Sequence, residues 1–280
     1  MIQKFYLALF AYFMTLPIGS ASANNAPKPT QLGLKDPATP QMERIVDFHF
    51  GLLLLIAAIV AFVTVLLIWV AIRYNEKSNP KPSKTTHNVP LEIVWTLIPA
   101  LIVAVIAFPS FKMLYYLDRS DNIEMTLKVT GYQWHWGYEY MDHEGLEFLS
   151  YMIPEKDIDY SKGEKRLLST DTKVVLPIDT NIEILVTSAD VIHSFTIPAF
   201  GFKKDAVPGR LNSTWVRIDK PGIYYGQCSQ ICGVNHAYMP IEVHAVTKEE
   251  FQEWLIKAKE EFAANDNNKI LTIASYEGAQ

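Results

Sequence analysis

Residues Tyr225–Pro240 read YGQCSQICGVNHAYMP, and the fold of the whole chain turns on what this stretch is for. Cys228 and Cys232 within it are the only cysteines among 280 residues. Three uses are open: a disulfide, a pair of buried thiols, or thiolate ligands to a metal that also uses His236 and Met239. The choice depends on the compartment, which the rest of the sequence has to supply.

The chain opens MIQKFYLALFAYFMTLPIGSASA, with Lys4, an apolar run from Phe5 to Leu16, a Pro17/Gly19 break and Ala21-Ser22-Ala23. This is the layout of a secretory signal peptide with an A-x-A cleavage site. Residues 1–23 are expected to be removed, leaving a mature chain that starts near Asn24 outside the cytoplasm, with 24–44 as a polar leader. The alternative, an uncleaved anchor, has an apolar run short for a bilayer span of about 20 residues.

Apolar residues make up 49% of the chain and charged residues 20%, a balance shared by rich globular cores and membrane proteins, so distribution decides. Val46–Ile72 and Val89–Leu117 are almost wholly apolar, each long enough to span a bilayer as a helix. The connection between them holds Arg73, Lys77, Lys81 and Lys84 against the acid Glu76, which places it on the cytoplasmic side and both ends of a hairpin over 45–118 outside. Pro99 and Pro109 interrupt the second span. Each removes a backbone donor, which fits either a larger membrane partner or a plain kinked anchor.

Beyond Asp118 the character changes. The runs MTLKVTGYQWHWGYEY, KVVLP, NIEILVTS, HSFTI, STWVRI, GIYYG and YMPIEVHAV are β-branched or aromatic and separated by turn-rich pieces, which predicts an antiparallel sandwich or barrel over 119–246. Tyr132, Trp134, Trp136, Tyr138 and Tyr140 alternate with period two, as on one face of a single strand. Thr247 and Glu250 form a capping box, and Phe251, Trp254, Leu255 and Ala258 share one helical face. A helix over 247–262 is expected, followed by a polar tail to 280 without assigned structure.

Outside the cytoplasm a disulfide is the default for two cysteines, yet a bridge over three intervening residues closes a loop too short to stabilise much. Thiolate, imidazole and thioether together form the soft donor set that suits copper.

At this point a resemblance enters. Gly226–Pro240 is similar to the dinuclear copper loop of subunit 2 of haem-copper cytochrome c oxidases. TSADVIHSFTIPAFGFKKDAVPGRLN (Thr187–Asn212), GYQWHWGYEY (Gly131–Tyr140) and LEIVWTLIPA (Leu91–Ala100) resemble further segments of that family in the same order. The resemblance implies a membrane-anchored all-β protein: a two-helix transmembrane hairpin, a cupredoxin-like Greek-key β-sandwich and a C-terminal helix. It implies two copper ions bridged by Cys228 and Cys232, with imidazoles from His193 and His236, a thioether from Met239 and the backbone carbonyl of Gln230. A lone histidine such as His193 would otherwise read as a core residue. Trp134 is implied as the residue through which an electron from cytochrome c enters, and Glu92 as the acid at the mouth of a proton channel lying mainly in the large subunit.

Five acids, Glu139, Asp142, Glu144, Asp171 and Asp190, are implied as a docking surface for the basic rim of a cytochrome. Many relatives carry Glu where this chain has Gln230, so a Mg²⁺ site shared with the large subunit would be weaker here. The expected partners are the haem-bearing large subunit, other oxidase subunits, cytochrome c and a bacterial inner membrane, with no nucleic acid among them. The mature termini and the copper domain are expected in the periplasm. No C-x-x-C-H occurs, so no fused haem c is expected. A membrane-anchored copper carrier or oxidase assembly protein, and a metal-free structural subunit with a disulfide, are the competing readings.

Overall fold

The computed structural model describes residues 25–118 and 122–276, and the expected signal peptide, 1–23, lies outside them. Residues 25–39 run along the side of the domain that follows. Asn25 donates its backbone N–H to Ile223 O, and Ala38 is tied to Ala199 and Asp219.

Two helices come next: α1 (Pro40–Arg73, 34 residues) and α2 (Val89–Asp118, 30 residues). Both are long and apolar enough to cross a membrane. Their middle turns are apolar all round and face outward, as expected of helices surrounded by lipid or other helices rather than by their own chain. α1 begins at Pro40 and not at residue 45, because Thr39 starts it: its Oγ1 accepts the Met42 N–H at 3.0 Å and donates to Phe200 O at 2.9 Å.

Among the described residues, ten strands form two five-stranded sheets. One has the order β3-β2-β1-β5-β8, built from β1 (Met125–Tyr132), β2 (His135–Tyr140), β3 (Glu147–Ser150), β5 (Asn181–Ser188) and β8 (Asn212–Arg217). The other has the order β4-β10-β9-β6-β7, from β4 (Val174–Pro177), β6 (His193–Ile197), β7 (Phe202–Ala206), β9 (Gly222–Cys228) and β10 (Pro240–Val246). The sheets are mixed, because β1 pairs with β5, and β4 with β10, in parallel. NIEILVTS shows why such runs fold this way: its residues alternate between half-buried and buried along all of β5. Leu127, Val129, Trp136, Ile182, Ile184 and Val186 meet Leu176, Phe195, Ile197, Ile241 and Val243 in the core. Each such side chain contributes roughly 1.5–3 kcal/mol by leaving water.

The aromatic segment is not one strand. Tyr132 pairs with His135, so β1 and β2 form a hairpin whose tip is Gln133–Trp134. Trp136, Tyr138 and Tyr140 do share the core face of β2, but Tyr132 belongs to the outer face of β1. The helix α3 (Lys248–Tyr276) starts as its capping box predicts, with Thr247 Oγ1 accepting the Glu250 N–H and the Glu250 carboxylate accepting the Thr247 N–H. It runs past residue 262, where the sequence reading stopped, there being no Pro or Gly from 248 to 276 to end it. Phe251, Leu255 and Ala258 bury its inner face.

The hairpin is joined to the sandwich at both of its outer ends. Gln41 and Met42 of α1 are buried. Trp215 of β8 donates its indole N–H to Tyr116 O of α2 at 3.2 Å and meets the Tyr116 ring edge-on. The Arg44 guanidinium lies 3.6 Å above the same ring.

Candidate metal centre

Three turns meet at one end of the sandwich: the β1–β2 tip, the β5–β6 turn before His193, and the loop that leaves β9 at Cys228 and returns to β10 at Pro240. Strand register places the donors. Phe195 of β6 pairs with Cys228 of β9, which sets His193 beside the start of the loop. The loop base is closed by Cys228 N–H to Met239 O and Ser229 N–H to Ser194 O.

The Sγ atoms of Cys228 and Cys232 stand 3.9 Å apart, far beyond the ~2.05 Å of a disulfide, and both thiols are free. His193 Nδ1 lies 3.9 Å from Cys228 Sγ, His236 Nδ1 3.5 Å from Cys232 Sγ, and Met239 Sδ 3.6 Å from Cys232 Sγ. The backbone carbonyl of Gln230 is 3.3 Å from Cys228 Sγ, while its side chain faces solvent. His193, Cys228, Cys232 and Met239 are buried, and His236 is half-buried. All six residues expected around the metal therefore converge, four of them with buried side chains.

The electrostatics suit cations. Burial works against ionising Cys228, but hydrogen bonds from His193 and from the backbone at Gln230 and Ser194 outweigh it and bring the thiol down to about 6. Burial and the neighbouring Cys228 charge push the Cys232 thiol up, to about 12. One thiolate forms readily and a second beside it does not, unless positive charge enters between them. That charge pattern is compatible with a metal held between the two sulfurs.

Around these donors lies a set of contacts that the sequence reading did not assign. Asp190 Oδ1 is 2.8 Å from His193 Nε2. Gln133 Nε2 donates to Cys232 O at 2.8 Å, and the Trp134 indole N–H shares that acceptor at 3.3 Å. Trp136 donates to Met239 O at 3.2 Å, and its ring lies edge-on to His193. The only sequence signal for these contacts was the need of a buried indole N–H to find an acceptor. Trp134 is half-buried, with its ring against the loop at Cys232 and Gly233.

The remaining expected residues scatter. Asp171 accepts the Tyr151 N–H at 2.8 Å, and the Tyr151 ring stacks on His135, so this acid is at the metal end. Glu139 sits farther along β2 and pairs with Lys128 at 2.8 Å. Asp142 and Glu144 lie in the turn after β2, at the opposite end of the sandwich, where Asp142 accepts the Thr126 N–H at 2.6 Å. The five acids thus do not form one surface, because β2 carries its far end away by about 3.3 Å per residue. Glu92 is at the start of α2, where its carboxylate accepts the Asn88 N–H at 3.2 Å and Asn88 Oδ1 accepts the Leu91 N–H, a reciprocal cap.

Family models match nearly all of this architecture: "Cytochrome C oxidase subunit II, transmembrane domain" over residues 27–113 and "Cytochrome C oxidase subunit II, periplasmic domain" over 125–246. A probable cytochrome c oxidase subunit 2 of Rickettsia prowazekii (strain Madrid E) is 44% identical over 271 residues, covering 97% of this chain and 85% of the relative. The chain belongs to the cytochrome c oxidase subunit 2 family. Subunit 2 of Zea mays is 45% identical over 237 residues, 82% of this chain and 90% of that one. The crystal structure of the periplasmic domain of subunit II from Bradyrhizobium japonicum is 44% identical and covers 51% of this chain and 99% of its own, with a TM-score of 0.47. As a subunit 2 this chain is the part of an oxidoreductase complex through which electrons enter. Its His193/Cys228/Cys232 cluster fits the copper site of that family.

Proposed function

We propose that the chain accepts electrons from a cytochrome c at a two-copper centre held by His193, Cys228, Gln230 O, Cys232, His236 and Met239. It passes them to a haem-bearing large subunit that reduces oxygen and translocates protons. The observation that carries this is the convergence of two free, buried thiols with two imidazoles and a thioether, all within 3.9 Å of a sulfur. When bound, copper would supply one-electron exchange. The chain's residues do the rest. Both thiols face the same space, so both could donate to the metal when it is bound. The β-strands behind them resist rearrangement between redox states, and the loop closed against Trp136 keeps water from the sulfurs.

Trp134 is the proposed point where the electron enters, because its indole N–H is bonded to the backbone of a ligand cysteine. Asp171 and Asp190 are the acids placed to meet a basic partner at this end, with Glu139 more distant and held by Lys128. The exposed Gln230 side chain is a candidate for a weak Mg²⁺ contact with the large subunit, and Glu92, at the loop-facing start of α2, for the acid at the mouth of its proton channel. The basic connection between the spans supports a periplasmic side for the sandwich. A copper carrier is the weaker reading: a site meant to exchange its metal would not bury four of its donors.

The test is electron paramagnetic resonance with copper analysis on the purified chain. Wild type and Gln230→Ala are expected to hold two coppers sharing one unpaired electron, since Gln230 contributes only its carbonyl. Cys228→Ser or Cys232→Ser should lose that signal. A single-copper signal in the wild type would remove the reading.

A further inference from the structure

We propose that the notch between the outer ends of the two spans and β7 binds the headgroup of an ethanolamine phospholipid, its phosphate on Lys203 and Lys204 and its ammonium on Gln41 and Asp118. The level of the notch is the first argument. Tyr116 and Trp215 meet where α2 gives way to the sandwich, with Tyr115 exposed one residue earlier. Such rings settle at the headgroup layer of a bilayer. At that level a cavity of about 140 Å³ lies among Gln41 of α1, Leu114 and Asp118 of α2, Lys203 and Lys204 of β7 and Trp215 of β8. One water needs only about 10–15 Å³ of such space and a drug-sized molecule roughly 300 Å³ or more, so the cavity matches a small polar headgroup.

Gln41 decides what that headgroup must offer. Its side chain is 2% exposed and its Nε2 reaches Trp215 O at a long 3.4 Å, while its Oε1 has no hydrogen-bond partner among the described residues. A buried carbonyl left unmet is costly, so the cavity beside it is where a donor belongs. A phosphodiester has no hydrogen to give; an ammonium has three. Asp118 on the same rim adds a negative charge that also calls for a cation. Lys203 and Lys204 supply the opposite sign, and neither is ion-paired among the described residues. Two cations on β7, with an acid and an unmet carbonyl at the helix ends, form the complement of a phosphoethanolamine zwitterion. A choline headgroup has the charge but no N–H, and a glycerol headgroup has hydroxyls but no cation. The tails have a path as well. Leu114 in the cavity wall is followed down α2 by Phe111 and Phe108, three residues apart along one side of the helix and all exposed.

The experiment is native mass spectrometry of the full chain, delipidated in detergent and offered phosphatidylethanolamine, phosphatidylglycerol or phosphatidylcholine of the same tails. One phosphatidylethanolamine is expected to stay bound about tenfold more tightly than phosphatidylcholine, as befits a hydrogen bond to a charged group. Gln41→Met, which keeps the length and removes the carbonyl, should erase that preference and leave the weaker binding common to all three lipids. If Gln41→Met does not fold, Lys203→Gln with Lys204→Gln changes only the rim and should weaken all three lipids by about tenfold. Inorganic phosphate and tail-free glycerophosphoethanolamine are the remaining probes, and neither should displace the bound lipid. The proposal is overturned if wild type holds the three lipids equally, if the lysine variant binds them as wild type does, or if inorganic phosphate alone displaces them, which would make the notch a site for a free anion.

Discussion

Trp134 offers the cleanest separation of electron transfer from metal binding, because its ring touches the loop through a backbone carbonyl and coordinates nothing. Trp134→Ala should therefore retain copper and its spectrum while slowing reduction by cytochrome c by orders of magnitude in stopped-flow experiments; normal reduction would move the point of entrance elsewhere. Tyr138 poses a different question. It is 2% exposed, burial pushes its phenol well above the usual range, and its hydroxyl has no hydrogen-bond partner among the described residues. An unpaired buried hydroxyl costs about 1–3 kcal/mol. Tyr138→Phe is accordingly expected to raise the thermal midpoint in calorimetry, without changing copper content. The proposed metal ligands could be picked out in sequence because four of the residues, Cys228, Cys232, His236 and Met239, lie in one loop with chemistry that few other roles explain. The bond between Asp190 and His193 was not, since an acid three residues before a histidine faces it only if the turn between them folds back, and nothing in SADVIH announces that turn.

At the scale of elements, Gly226 shows how closely the two central strands of the metal-bearing sheet approach. A Cβ built there would stand 2.1 Å from Thr196 O, on the strand that carries His193. Gly226→Ala must push β9 away from β6, at the ~1–3 kcal/mol typical of overpacking or more. Because the same pairing sets Phe195 opposite Cys228, the variant should lose copper affinity along with stability, as titration with a competing chelator would show. Strands such as NIEILVTS and HSFTI were visible with their full extents, because interior strands must alternate or stay apolar to be buried. The strands missed, β3 and β7, are both sheet edges. FKKDA in particular carries the charges by which edges avoid further pairing, and those charges hide it from a search for apolar runs. The Gln133–Trp134 tip was hidden for the opposite reason: aromatic residues continue through it, and no Gly, Asn or Pro marks the turn.

For the molecule as a whole, the spans and the domain order followed from composition, whereas the way sandwich and hairpin join did not, since it depends on contacts between residues far apart in the chain. Trp215 and Tyr116 form that joint with Arg44 and the buried first turn of α1. Replacing Trp215 by Ala should loosen it, with faster proteolysis between α2 and β1 at an unchanged copper spectrum; an unaltered cleavage rate would mean that the leader alone holds the domain. The joint also determines how a partner finds the protein. With the sandwich clamped to both helix ends, the metal pole keeps a fixed height and heading above the lipid, like a compass needle pinned to a card. A subunit embedded in the same bilayer needs to search only two dimensions and one rotation to meet it, and most of the orientational entropy of their assembly is surrendered when this chain folds.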